Sequence, residues 1–148
     1  VEKKQRNYDM NKNEMVLLLR REGFRATGAR VEVLVFLDKQ KKPVGIQSIA
    51  NAFPQVNMTT LYRMMTNFAE KGLVTAYELG HGHVDYELAS RPHHHHLVCE
   101  SCGDIEDVFP CADDCAFIDS VKKTSKKFQR VTKQMTTFYG TCTVCSRR

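Results

Sequence analysis

Two Cys-x-x-Cys pairs, Cys99/Cys102 and Cys142/Cys145, and four consecutive histidines, His93 to His96, are the residues of this chain best suited to chemistry. Thiolate and imidazole are ligands of borderline-soft transition metals, and two-residue spacing lets both sulfurs of a pair reach one ion. Four thiolates around one Zn2+ fill a tetrahedron with Zn–S near ~2.3 Å and leave no position for substrate, so the role they predict is structural. The segment from Gly103 to Thr141 is longer than the spacer of an ordinary zinc ribbon. A small subdomain must therefore sit between the two knuckles, stapled by the metal. Disulfides and redox-active pairs compete with this reading, since six cysteines allow ~15 fully bridged pairings. The chain is not of the small disulfide-dense type, however, and paired two-residue spacings are not what such a scaffold requires.

The remaining thiols, Cys111 and Cys115, stand four apart at the start of a proposed helix. Same-face placement and the helix dipole could lower a thiol pKa there, so burial, a reversible redox pair and metal binding all stay open. At 148 residues the chain has room for one domain or two small ones. Its longest apolar runs, around Met15 to Leu19 and Val33 to Leu37, are far too short to cross a bilayer, and nothing resembles a signal peptide. A cytoplasmic protein with reduced thiols and no membrane partner is expected. A formal net charge of +5 permits an anionic partner without requiring one.

Helices followed by a hairpin must position these groups. Glu14 to Glu22 carries a short apolar stretch stopped by Gly23, and residues 1–12 are polar. Thr27 is placed to N-cap a second helix through Val31, Leu34, Val35 and Leu37, and a third runs from Ile46 to Phe53 before Pro54. From Met58 to Lys71, Leu61, Met64, Met65 and Phe68 share one side, while Thr59, Thr60, Arg63, Thr66, Asn67 and Lys71 share the other. Leu73 to Leu79 and Val84 to Leu88 then alternate as strands around the turn Gly80-His81-Gly82-His83. This is the order of a winged helix, whose helix after the turn enters the major groove. Thr59, Thr60 and Arg63 would meet base edges, Tyr62 would lie at the margin, and Arg25 and Arg30 would hold phosphates; pattern alone leaves it equally open that Arg63, Asn67 and Lys71 are a solvated helix face. Beyond the hairpin, strands are expected at His95 to Cys99 and Asp104 to Phe109, a helix near Ala112 to Lys126, and a long strand from Phe128 to Tyr139.

The stretches Arg25-x-Thr27-x-x-Arg30, Thr60-Leu61-Tyr62-Arg63, Lys71-Gly72-Leu73-Val74 and His93-His94-His95-His96-Leu97-Val98-Cys99-x-x-Cys102-Gly103 resemble the ferric uptake regulator superfamily of metal-dependent bacterial transcription regulators. The likeness runs from about Met15 to Cys145. It implies an α+β protein with a winged-helix DNA-binding domain at 1–89 and an α/β dimerisation and metal-binding domain at 90–148. It further implies a homodimer that binds palindromic double-stranded operator DNA as a repressor when a sensory Fe2+ or Zn2+ is loaded. On a strand, alternate side chains share a side, so the tetrad can serve two sites. By the resemblance, Glu87, His94 and His96 match the sensory site, and His93, His95 and Asp114 match an accessory one. Asp107 matches an acidic position that completes the sensory site in some peroxide-sensing members.

Two positions depart from the family. Where members commonly carry a His in a His-Pro-Val-Ser-Ala-like stretch, this chain reads Lys42-Pro43-Val44-Gly45-Ile46, so a sensory ion must find its remaining ligand elsewhere or go without; His81 and His83 in the hairpin loop are the nearby candidates, and contact with DNA phosphate or no role at all stays equally open for them. In the last strand the usual His is Gln134, which predicts a weak accessory site. A peroxide sensor and a zinc-stapled protein that has lost metal sensing are the alternatives. An enzyme is not expected: two His and one Glu could leave a zinc position open, but no nucleophile, general base or substrate loop accompanies them, and no small-molecule substrate is foreseen.

Overall fold

The computed structural model describes residues 10–109, 114–131 and 134–147, and of 114–118 the backbone alone. The chain falls into two compact units that divide between Arg91 and Pro92. The first contains α1 (Lys12–Arg21), α2 (Gly28–Asp38), β1 (Val44–Gly45), α3 (Ile46–Ala52), α4 (Met58–Glu70), β2 (Val74–Glu78) and β3 (Val84–Leu88). The second contains β4 (His95–Cys99), β5 (Ile105–Val108), α5 (Asp114–Thr124), β6 (Thr137–Gly140) and a short 3-10 turn at Cys145–Arg147.

Helix α1 starts inside the segment that sequence reading leaves as polar lead-in. Asn11 accepts from the amides of Asn13 and Glu14, and Glu14 returns a bond to the Asn11 amide, a reciprocal capping box. Thr27 does occupy the N-cap of α2, but its side chain makes no capping hydrogen bond. The α4 cap is Asn57, whose Oδ1 accepts from the Thr60 amide at 2.8 Å. Leu61, Met64, Met65 and Phe68 of α4 are buried, and join Met15, Leu19, Leu34, Leu37 and Ile49 in one apolar core. Each such side chain contributes about 1.5–3 kcal/mol by leaving water. Strands β2 and β3 pair antiparallel as the expected hairpin, and β1 adds to the other edge of β3.

In the second unit, β4 lies between β5, antiparallel, and β6, parallel. The long strand expected from Phe128 to Tyr139 is a correction: β6 covers only Thr137–Gly140. Ser125 Oγ accepts from the amides of Lys127 and Phe128, which turns the chain after α5 and takes those donors from any ladder. Helix α5 likewise ends at Thr124, two residues short of the expected Lys126.

Candidate metal centres

The thiols come together as their spacing demands. Cys99 closes β4, Cys102 sits in the turn after it, Cys142 follows β6, and Cys145 opens the 3-10 turn. Pairing of β4 with β6 brings the two knuckles side by side, with Cys99 opposite Gly140. All four sulfurs lie within 4.8 Å of one another. Cys102 Sγ and Cys142 Sγ are 3.8 Å apart, the edge of a tetrahedron whose centre-to-sulfur distance is ~2.3 Å. Each knuckle is closed by a backbone bond four residues long, Gly103 N–H to Cys99 O at 2.8 Å and Ser146 N–H to Cys142 O at 2.9 Å. Amides also aim at sulfur: that of Cys142 donates to Cys99 Sγ at 3.3 Å, and that of Cys145 to Cys142 Sγ at 3.5 Å.

These bonds separate the thiols electrostatically. The Cys142 and Cys102 backbone groups lower the Cys99 thiol from 9.0 to about 6, whereas the hydrogen bond between the Cys145 and Cys142 side chains raises Cys145 to about 12. Four sulfurs this close cannot all ionise without a cation among them, and a Zn2+ supplies the charge they need. The residues fit a closed structural zinc.

A second cluster forms on the other end of β4. His96 pairs in register with Asp107 of β5, and His96 Nδ1 lies 3.1 Å from Asp107 Oδ1. His94 Nε2 lies 3.8 Å from Asp107 Oδ2. His94 Nδ1 is 2.7 Å from Pro92 O, and since a carbonyl only accepts, this nitrogen carries the proton. The lone pair of His94 is therefore on Nε2, turned toward the carboxylate. Histidines that bind metals through one nitrogen commonly donate the other N–H to a carbonyl or carboxylate, and both rings obey that rule here. Two imidazoles and a carboxylate suit Fe2+ or Zn2+.

The opposite face of the tetrad is partly legible. His95 is buried, His93 exposed, and their rings meet edge to face at 5.0 Å. His95 also meets the Phe138 ring at 5.8 Å. Gln134 Nε2 donates to Thr136 Oγ1. The side chains of Asp114 and Cys115, and all of Cys111, lie outside the described residues.

Within the first unit, Glu87 is buried and held at both oxygens: Tyr77 Oη donates to Oε1 at 2.7 Å, and Arg91 Nη1 to Oε2 at 3.0 Å. Arg91 also donates from Nη2 to Lys41 O at 3.1 Å, so the residue next to Lys42 takes part in fixing this carboxylate. His81 and His83, in the turn before β3, gather on Asp85, a residue that the sequence alone does not single out. Thr59, Thr60, Tyr62 and Arg63 are all exposed on α4. Arg25 is exposed as well, whereas Arg30 is half-engaged, donating to Arg25 O at 3.0 Å and lying 5.2 Å above the Phe24 ring. Phe24 in turn meets Phe68 of α4 edge-on at 5.3 Å, so Arg30 braces the loop that leads into α2 against the α4 side of the core.

Among the described residues, no helix is long and apolar enough to cross a membrane. The model of the ferric uptake regulator family matches residues 21–138. The ferric uptake regulation protein of Legionella pneumophila is 27% identical over 134 residues, which is 83% of this chain and 92% of that protein. Among solved structures, the Helicobacter pylori ferric uptake regulator, described as having three functional metal binding sites, superposes with a TM-score of 0.76 at 17% identity, covering 93% of this chain and 95% of that one. A zinc uptake regulator solved in complex with zinc and DNA gives 0.57 at 20% identity, covering 93% and 97%.

Proposed function

This chain belongs to the ferric uptake regulator family, and from that premise we propose that it is a metal-responsive repressor, a homodimer that binds palindromic operator DNA when Fe2+ or Zn2+ occupies the site of His94 and His96. The family's members are transcription regulators and not enzymes. The observation that carries the sensory part is the pair of oriented rings: His94 fixed by Pro92 O and His96 by Asp107, with the His94 lone pair facing Asp107 Oδ2. Asp107 thus orients His96 and offers its second oxygen to the ion. Glu87 is assigned to the same site on the family pattern alone.

An ion at this site supplies two positive charges that neutral imidazoles and carboxylates can share. It shifts operator affinity only by its preference for the DNA-binding arrangement, typically ~1–3 kcal/mol of coupling. The exposed row Thr59, Thr60 and Arg63 on α4 supports a reading helix, with Tyr62 beside it and Arg25 toward phosphate. Arg30 reaches phosphate only from its brace on Phe24. A two-fold pair of such helices reads half-sites about one helical turn apart. The edge strand β6 leaves Phe138 and Tyr139 about half exposed, which suits a second copy of the sheet. His93 and His95, with Gln134 in place of the family's His, are assigned a weak accessory site at most.

The test is selection of duplexes from a random-sequence library by the full chain loaded with Zn2+, Fe2+ or Mn2+ in turn, followed by anisotropy titration of the selected duplex. His94→Ala with His96→Ala should abolish the metal dependence, a loss of roughly 5–150-fold in affinity, while leaving the dimer and the four-cysteine zinc in place. Operator binding that ignores the ion in the unaltered protein contradicts the proposal.

A further inference from the structure

The turn between β2 and β3 carries donors that the repressor reading leaves unused. His81, His83 and Asp85 occupy alternate positions, and the glycines between and before the histidines, Gly80 and Gly82, have φ of 85° and 84°. Such backbone favours glycine, so the tight turn that brings both rings to one side is written into the sequence. Asp85, in β3, is 2% exposed. Both imidazoles approach its carboxylate by Nε2, His81 at 2.9 Å from Oδ2 and His83 at 3.4 Å from Oδ1. The rings stack at 4.0 Å between centroids, tilted by 27°.

Strand β1 is shaped to admit them. Gly45 pairs in register with Asp85. A Cβ at position 45 would stand 3.0 Å from His83 Cδ2, 3.2 Å from His83 Nε2 and 3.4 Å from Asp85 Oδ1. The missing side chain is thus the space in which His83 meets the carboxylate.

A carboxylate flanked by two histidines is the plain description, and it leaves two facts unexplained. Stacked rings at this distance repel if both are protonated to pair with Asp85, and a single imidazole would satisfy the acid. In addition, His81 Nδ1 is buried and has no hydrogen-bond partner among the described residues. The 2.9 Å approach of His81 Nε2 to Asp85 Oδ2 lacks the alignment of a hydrogen bond, so nothing fixes a proton on that nitrogen, and an ion shared by the ring and the carboxylate accounts for the contact. One ligand atom from each of the three residues lies within 4.8 Å of the others.

We propose that His81, His83 and Asp85 form a divalent-metal site of their own, built entirely within the first unit, that takes Zn2+ and fastens the β2–β3 turn against β1. Three protein donors leave at least one position to water, so the site is open and more labile than the four-cysteine one. It assigns His81 and His83 away from the sensory set, and it stands whether or not His94 and His96 sense an ion.

The deciding experiment uses the full chain with its cysteine site filled. Zn2+ is titrated against a chromophoric chelator, and the histidine ring signals are followed by NMR. His94→Ala with His96→Ala should leave the hairpin site intact, with His81 and His83 signals still moving as Zn2+ is added. His81→Ala with His83→Ala should lose one zinc equivalent per chain, and Gly45→Ala should weaken that equivalent by roughly tenfold or more, the scale of lost support around a metal. If the His81 and His83 rings ignore Zn2+ in the His94/His96 variant, the site does not exist, and that result needs no altered hairpin to read. Unchanged zinc uptake by the His81/His83 variant overturns it equally.

Discussion

The two units are held together by different physics. The first has a connected apolar core in which Met15, Leu19, Leu34, Leu37, Ile49, Leu61, Met65 and Phe68 are wholly enclosed. In the second, among residues whose burial is described, the buried side chains are Val98, Cys99, His95 and His96, which are mostly metal ligands or their neighbours. Leu97, Phe128, Met135, Phe138, Tyr139 and Val144 stay 40–72% exposed. A unit this small buries too little apolar surface to be comfortable alone and needs a metal or a second copy. The comparison teaches where stability is stored: in the first unit in an apolar core that is complete by itself, in the second in side chains that gather around candidate metal sites.

Removing the structural zinc should separate the two most sharply. With Cys99→Ser or Cys142→Ser, the second unit is expected to lose protected amides and the proposed dimer to fall apart. Structural zinc carries on the order of 10 kcal/mol of folding free energy. The first unit should keep its own protected core by hydrogen exchange. A variant dimer with the melting temperature of the parent would show that the sulfurs are not the staple. Leu61→Ala is the converse. It should destabilise the first unit by about 2–5 kcal/mol and leave the four-cysteine zinc in place. Loss of the four-cysteine zinc on that substitution would mean the units do not stand on separate supports.

Much of this division could be read from the residues, and the failures have physical causes. The two faces of α4 followed from period 3.6, because a helix packed on one side sorts Leu61, Met64, Met65 and Phe68 from Thr59, Thr60, Tyr62 and Arg63. The cysteine spacing sufficed for the zinc site, since coordination geometry is local to each knuckle. Strand β1 escaped because two residues, Val44 and Gly45, are too few to show alternation. The last strand was drawn too long because the apolar residues Phe128, Val131 and Met135 suggest a strand, while the ladder that decides it is a parallel pairing with β4, a long-range contact without a local signal. Asp85 carries no cue of its own, since a lone acid two positions after His83 reads equally as an exposed strand residue. The Glu87 clamp by Tyr77 and Arg91 depends on side-chain reach between neighbouring strands and beyond, which no periodicity reports.

Acid offers the gentlest way to sharpen the contrast. In the metal-free fold the Cys99 thiol titrates near 6 instead of 9.0, chiefly because the Cys142 backbone donates to it. A depressed pKa stabilises the fold fully above the ordinary value, and that contribution is lost as pH falls through about 6. Cys145, raised to about 12 by its bond to the Cys142 side chain, and Cys102, also raised, still hold their protons at neutral pH. Zinc must displace both. Its affinity should therefore fall by about tenfold per pH unit for each proton released, and more steeply below 6, where Cys99 also carries one. The apolar core of the first unit has no such protons to exchange. A zinc titration in weak buffer with a pH indicator, run from pH 8 to about 5.5, should record proton release on metal uptake, while amide exchange in α4 and the core of the first unit stays constant. Flat zinc affinity across that range would mean that the four sulfurs are ionised before the metal arrives, against the hydrogen bonds that hold Cys102 and Cys145 protonated.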